Sequence, residues 1–247
     1  MAIAPIMPFA IHNTNDVATS GVKMVVYGAP DAGKTTLMAG LRDALIISSE
    51  KGLLSIKGSG QSYFTVDTAE DVEKLVTWLE VPSNYVGKYK VLCIDSISDI
   101  AERILDTQKR LNKDGRKAYG VTQDVITSLL RTIVDIQGVN VYIAAWEMLE
   151  KTNEFSQSGQ MRPYLTGKIL PKNLIHFIDN VLHLRIHYIQ GTDATGNATV
   201  TPQRWLQCHQ SAEYFARVRD RFGQIQAYEP PDLQALFDKI AHTPANT

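Results

Sequence analysis

The sequence has no excess of charge of either sign and very little cysteine. It contains 25 Lys and Arg residues and 26 Asp and Glu residues, which give a formal net charge of −1. This balance excludes a protein that coats nucleic acid by bulk charge, so any such contact requires a local basic patch. The two cysteines, Cys93 and Cys208, lack metal-ligand spacing. They exclude a disulfide scaffold and favour a reducing compartment.

Long apolar runs and a basic leader followed by an apolar stretch are also missing. We therefore expect a cytoplasmic protein without a membrane partner. With 44% hydrophobic residues, 16 Gly and 10 Pro among 247 residues, the composition is that of a globular protein and excludes collagen-like or disordered chains. The length favours one large domain.

Strands that alternate with helices predict an α/β fold with a mostly parallel, helix-covered sheet. We expect an N-terminal arm over residues 1–22 and a single domain over 23–247, with a β-rich extension from about residue 180. The predicted strands are Lys23–Tyr27, Leu45–Ser48, Tyr63–Val66, Tyr89–Asp95, Val139–Ala145, Asn180–Gln190, Thr199–Cys208 and Glu213–Phe222. The predicted helices are Lys34–Leu45, Ala69–Leu79, Ile97–Leu111, Thr122–Ile136 and Asp232–Ala241, and residues 151–168 are expected to form a loop.

A phosphate-binding motif lies between the first strand and the first helix. The segment Gly28-Ala29-Pro30-Asp31-Ala32-Gly33-Lys34-Thr35, followed by Thr36, matches G-x-x-x-x-G-K-[ST]. The glycines allow backbone N–H groups to point inward around phosphate oxygens, and a helix starting there adds its positive end. Lys34 can neutralise β- and γ-phosphates, and the Thr35 hydroxyl can bind Mg²⁺. The pattern predicts a site for ATP and Mg²⁺.

Two acidic residues follow buried strands near this motif. Asp95 ends an apolar strand, where a carboxylate can organise Mg²⁺, although it could also cap the helix that follows. Glu50 follows the second strand and could activate the attacking water. Its position alone equally suits a solvated loop residue beside Lys51.

These segments together resemble the RecA-like P-loop ATPases. The resemblance rests on Val26–Thr36, Ile47–Gly52 and Leu92–Ser96, with weaker similarity over Gly167–Leu182 and Arg219–Gly223. Within that class the sequence is similar to the phage group of AAA-domain nucleotide-binding proteins, or Sak-type single-strand annealing ATPases. The resemblance implies a RecA-like P-loop NTPase core and an ATPase that acts on single-stranded DNA in phage recombination or strand annealing.

The resemblance also implies roles for individual residues. Glu50 would activate water, Asp95 would be the Walker B acid, and the strand Val141–Ala145 would lie between the strands of the phosphate loop and Asp95. The end of that strand would sense the γ-phosphate. Here it reads Trp146-Glu147, where relatives usually have Gln, His or Asn, so Glu147 is the candidate sensor.

Basic residues predict assembly and a DNA surface. The resemblance implies that Arg219 or Arg221 completes the site of a neighbouring subunit in a ring or filament, although these arginines could also form a solvated strand face. Two basic segments with aromatic residues nearby are by themselves typical of solvated helix ends, and the resemblance implies that they bind single-stranded DNA. A single-strand DNA-binding protein is a further partner that such a role implies. The DNA candidates are Lys109, Arg110, Lys113, Arg116, Lys117, Arg162 and Lys168.

Two other functions stay open on sequence alone. One is a P-loop kinase that acts on a small molecule, although no separate substrate domain is evident. The other is an interaction module that binds ATP and scarcely hydrolyses it, for which the unusual Trp146-Glu147 pair is the reason. Phosphoryl transfer to a nucleoside and the effect of replacing Glu50 distinguish these functions from a DNA-dependent ATPase.

Overall fold

The computed structural model of this protein describes residues 21–49, 53–151, 158–192 and 197–241. Within these ranges nine strands form one sheet in the order β3-β2-β4-β5-β1-β7-β8-β9, with β6 paired to β5 beside that row. The strands are β1 (Lys23–Tyr27), β2 (Ala44–Ser48), β3 (Ser62–Thr65), β4 (Val91–Asp95), β5 (Asn140–Lys151), β6 (Gly159–Tyr164), β7 (Asn180–Thr192), β8 (Ala198–Gln207) and β9 (Tyr228–Glu229). The α-helices are α1 (Ala69–Leu79), α2 (Ile97–Leu111), α3 (Gly115–Asp135), α4 (Leu170–Phe177) and α5 (Leu233–Ala241).

The centre of the sheet is parallel. β1 pairs in parallel with β5 on one side and with β7 on the other, and β5 also pairs in parallel with β4. β8 and β9 continue the sheet in antiparallel orientation. The mostly parallel sheet, its β-rich C-terminal part and the central position of β5 are confirmed. Because parallel strands end at one edge, the residues after β1, β4 and β5 meet there.

Each face of the sheet buries its own apolar cluster. On one face, alternate strand residues such as Val25 and Ile143 pack against α1, α2, α3 and α4. On the other face, Val26 and Tyr142 pack with a short 3-10 helix, Thr36–Gly40, and with α5. The alternation follows the two-residue period of a strand, so the nearly continuous apolar strands are buried on both sides. None of the helices in the described ranges has the length and apolar character needed to cross a bilayer.

The helix predicted over Lys34–Leu45 was wrong in length and type. Only the five-residue 3-10 helix Thr36–Gly40 forms, and β2 already begins at Ala44. The chain must return from one edge of the sheet to the other within these few residues, and a 3-10 helix rises more per residue than an α-helix. Asp43 then turns the chain with a positive φ of 51°.

The other corrections concern segments that depend on tertiary partners. Helix α3 begins at Gly115 rather than Thr122, because the Asp114 carboxylate accepts a hydrogen bond from the Arg116 N–H at 2.9 Å and caps it. The predicted loop 151–168 contains β6, which pairs with an extended β5, and α4 follows at Leu170. The strand predicted over Glu213–Phe222 is absent from the described residues, which form only isolated bridges at Tyr214 and Arg217.

Candidate functional site

The motif between β1 and the 3-10 helix forms a compact loop whose glycines are sterically required. A Cβ on Gly28 would lie 2.8 Å from the backbone oxygen of Leu184, so only glycine allows β7 to pass this closely. Asp31 and Gly33 have φ values of 61° and 103°, in the left-handed region. Glycine at these two positions, Gly28 and Gly33, therefore allows the tight backbone path of the loop.

Lys34 bridges the two sides of this loop. Its Nζ donates hydrogen bonds to the backbone oxygens of Gly28 and Ala29, each at 2.7 Å. Burial lowers the pKa of the Lys34 ammonium, and nearby carboxylates, led by Asp95, oppose that shift. The strand next to β1 also anchors this residue, since the buried Tyr142 hydroxyl donates to the Lys34 backbone oxygen at 2.8 Å. A cation is thus held at the loop by contacts from two elements.

Thr35 and Asp95 meet directly beside the lysine. The Thr35 hydroxyl donates to Asp95 Oδ2 at 2.8 Å, and Asp95 at the end of β4 is only 5% exposed. The alternative role of Asp95 as a helix cap is wrong, because the Ser96 side chain caps α2 by accepting from the Asp99 N–H. A hydroxyl and a carboxylate at this spacing are ligands that Mg²⁺ takes in proteins, so the residues present fit a metal-bound nucleotide.

The end of β5 sends two neighbouring side chains in opposite directions. Trp146 lines a cleft of about 480 Å³ that also contains Lys34, Thr35 and Asp95, and it stacks on the Tyr164 ring with 5.9 Å between centroids. Glu147 lies on the other face of the sheet, where its Oε2 accepts a hydrogen bond from His183 Nε2 at 3.0 Å. The Glu147 carboxylate is one of the charges that oppose the lowering of the Lys34 pKa by burial.

Sequence reasoning missed Arg204, which lines the same cleft. It lies on β8, opposite Ile186 of β7, and its Nε donates to the backbone oxygen of Ala32 at 2.8 Å. A lone arginine on a strand of alternating character carries no motif. Only the antiparallel pairing of β7 and β8 brings it to the phosphate loop.

Most of the predicted DNA-binding residues share one exposed corner. They lie in the last turn of α2, in the turn that follows and in the first turn of α3, and all of their side chains are exposed. These residues are Lys109, Arg110, Lys113, Arg116 and Lys117. Helix α3 ends beside the start of β5. At about 1.5 Å per residue, its 21 residues span about 32 Å.

The second basic segment lies next to this corner. An ideal Cβ on Gly167 would be 3.8 Å from the Tyr119 ring of α3, so the exposed Lys168 is close to the corner. Arg162 differs, because its guanidinium forms an ion pair with Glu150 at 2.7 Å and lies over the Phe215 ring. Arg162 is the predicted DNA contact that already has strong partners within the chain.

The predicted finger arginines lie far from the phosphate loop of their own chain. The Arg219 N–H donates to Asn180 Oδ1, its guanidinium pairs with Asp179 at 3.0 Å, and Arg221 lines the same cavity at the start of β1. That is the opposite end of the parallel strands. Any action on a phosphate group through these residues therefore requires a second subunit.

The water-activating candidate Glu50 lies outside the described residues. The part of the chain that can be described near it is the end of β2, where Ser48 pairs with Asp95 of β4. Glu50 follows Ser48 by two residues in the sequence. Its role as the activator of water stays a prediction.

Comparisons with known proteins agree with this architecture at the level of the family. The AAA domain family matches residues 20–220. No curated protein matches the sequence significantly. Among solved structures 140 chains match, and one described as the RadB recombinase aligns over 76% of this chain and 88% of its own, with 14% sequence identity and a TM-score of 0.43. Since the family match covers most of the sequence and includes the phosphate loop and the β4 and β5 strands, the chain belongs to the AAA domain family.

Proposed function

We propose that this protein binds ATP with Mg²⁺ and hydrolyses it, and that single-stranded DNA binds at the basic corner and stimulates hydrolysis. The observation that carries the proposal is the convergence of Lys34, Thr35 and Asp95 at one edge of the sheet, with 2.8 Å between the Thr35 hydroxyl and Asp95. A phosphate-loop lysine, a hydroxyl and a strand-end carboxylate are the parts from which P-loop sites for metal-bound nucleotides are built.

Each residue has a distinct task in this proposal. The backbone N–H groups of the loop and the Lys34 ammonium bind phosphate oxygens, while Thr35 and Asp95 hold the metal. Bound Mg²⁺ supplies neutralisation of the charge on the β- and γ-phosphate oxygens. We assign activation of the attacking water to Glu50, because it follows the strand that pairs with Asp95. We assign sensing of the nucleotide to Glu147 on the sequence resemblance, which implies a polar sensor at the end of its strand.

The DNA part of the proposal rests on the exposed cations of the corner. Lys109, Lys113 and Lys117 follow one another around the turn between α2 and α3, and Lys109 also lies 5.5 Å from the centre of the Tyr119 ring. Cations that neutralise phosphates and aromatic rings that stack on bases together provide sequence-tolerant binding to single strands. The Trp146 ring, which lines the cleft, stacks on Tyr164, whose backbone oxygen accepts a hydrogen bond from the Ser98 hydroxyl of α2.

Assembly is the third part of the proposal. Arg219 and Arg221 lie at the edge of the sheet opposite the phosphate loop, so they can act on a nucleotide only in a neighbouring subunit of a ring or filament. An arginine supplied in this way stabilises the charge that develops on the transferred phosphoryl group. A role in phage recombination or strand annealing, with a single-strand DNA-binding protein as partner, rests on the sequence resemblance.

Steady-state ATP hydrolysis with Mg²⁺, with and without single-stranded DNA, tests the catalytic part. We expect DNA to increase the rate in the wild-type protein, and Lys34→Ala to abolish hydrolysis because the phosphates lose their cation. Lys88→Ala, an exposed lysine away from the cleft, is the matched control and should behave as the wild type. Hydrolysis that does not respond to DNA would contradict the proposal, and phosphoryl transfer to a nucleoside would favour a kinase instead.

Fluorescence anisotropy with labelled single-stranded DNA tests the corner. Lys113→Ala and Lys117→Ala should each weaken binding and reduce the slope of log affinity against log salt by about 0.7, the value expected for one lost phosphate contact on a single strand. Lys88→Ala should change neither the affinity nor the slope. If both corner variants have the affinity and the salt slope of the wild type, the basic corner does not bind DNA.

A further inference from the structure

The β7–β8 hairpin runs alongside the phosphate loop. Parallel pairing aligns Tyr27, the last residue of β1, with His183, so the rest of β7 continues past the point where the loop begins. The Leu184 backbone oxygen lies so close to Gly28 that a Cβ there would come within 2.8 Å. The hairpin is therefore in direct contact with the loop.

This hairpin brings Arg204 onto the later half of the loop. Its Nε donates to the Ala32 backbone oxygen at 2.8 Å. The side chain also lies against Gly33, since a Cβ on that residue would be 2.9 Å from Nε and 3.4 Å from Cδ of Arg204. The absence of a side chain at Gly33 therefore allows both the left-handed backbone conformation and the close contact with Arg204.

The Arg204 guanidinium has N–H donors that can bind an anion. Among the residues that the structure describes, no carboxylate lies within ion-pair distance of Arg204, and Ala32 is the only partner assigned to its donors. A guanidinium has five N–H donors in a planar fork, so the contact with Ala32 leaves both Nη groups for other acceptors. Arg204 lines the same cleft as Lys34 and Thr35.

We propose that Arg204 binds the phosphate groups of the nucleotide within its own subunit. This inference rests on the proposed function, because it assigns a further contact in the same site. The bond from Nε to Ala32 orients the fork, and the Nη groups then donate to phosphate oxygens in the bidentate manner that suits arginine. The residue differs from Arg219 and Arg221, whose proposed action requires a neighbour.

Isothermal titration of nucleotide into the protein, which requires no turnover, tests this assignment. We expect Arg204→Ala to weaken binding of Mg²⁺-bound ATP by about tenfold or more, as for loss of a hydrogen-bonded charge contact. Arg204→Lys should recover part of the affinity, because it restores the charge without the fork. Gln203→Ala, at the adjacent exposed position of β8, is the matched control and should bind as the wild type does.

The outcomes separate this inference from the proposed function. If the wild type binds Mg²⁺-bound ATP and Lys34→Ala does not, while Arg204→Ala binds within twofold of the wild type, the role of Arg204 is refuted and the function stands. If Arg204→Ala loses affinity and Arg204→Lys does not recover any of it, or if the loss is matched by a lower melting temperature, Arg204 is only a clamp on the loop and the proposal is overturned. If the wild type binds no ATP, both proposals fail.

Discussion

The buried hydroxyl of Tyr142 offers a direct test of how the sheet holds the phosphate loop. Tyr142 lies near the start of β5 with 0% of its surface exposed, and its hydroxyl donates to the Lys34 backbone oxygen at 2.8 Å. Tyr142→Phe keeps the ring and its packing but removes this donor. The central strand then loses its hydrogen bond to the residue that carries the phosphate-binding ammonium.

The expected magnitude follows from this geometry. A typical hydrogen bond contributes about 1 kcal/mol net, and a buried acceptor left without a partner costs about 1–3 kcal/mol. Because Lys34 is partly buried, we expect Tyr142→Phe to lower the free energy of unfolding by about 1–2 kcal/mol. The affinity for Mg²⁺-bound ATP should fall as well, since the backbone of Lys34 loses an anchor.

Urea unfolding monitored by circular dichroism measures the first effect, and isothermal titration measures the second. Tyr85→Phe is the matched control, because Tyr85 is 2% exposed and its hydroxyl has no hydrogen bond to any described residue. We expect this control to change stability by less than about 0.5 kcal/mol. A Tyr142→Phe variant as stable as the control would refute the argument that β5 anchors the loop through this bond.

Three further predictions follow from the site and its surroundings. Gly28→Ala should abolish ATP binding and lower the melting temperature, because its Cβ would lie 2.8 Å from a backbone oxygen of β7; an unchanged melting temperature would contradict this packing. Burial lowers the pKa of Lys34 in the free protein below its ordinary 10.5. ATP affinity should therefore be constant near neutral pH and decrease as the pH rises through that lowered pKa. Isothermal titration at increasing pH measures this, and a decrease in affinity that begins only above pH 10.5 would contradict the lowered pKa of Lys34. Arg219→Ala should leave ATP binding unchanged and reduce hydrolysis only at protein concentrations where subunits assemble, and equal loss at all concentrations would exclude action on a neighbour.

Much of the fold could be predicted because its signals are local. The limits of β1, α1 and α2 agree with the sequence patterns, since apolar runs bounded by turn residues and a cap at Thr68 or Ser96 act within a few residues. The phosphate loop is likewise a contiguous motif, and the glycines that identify it in the sequence are also the residues that its backbone conformation requires. These are the features for which short-range interactions outweigh tertiary context.

The sequence by itself therefore determined the parallel α/β core, the phosphate loop and the acidic residue at the end of β4. Tertiary structure decided the features that depend on distant partners: the pairing of β6 with β5, the 3-10 helix in place of an α-helix, and the separation of Arg219 from the loop. It also decided the position of Arg204, which is 170 residues beyond Lys34 in the chain and reaches the loop only through the register of the β7–β8 hairpin. The physical reason is that a motif encodes contacts between near neighbours, whereas contacts across a sheet exist only once strand order and register are established.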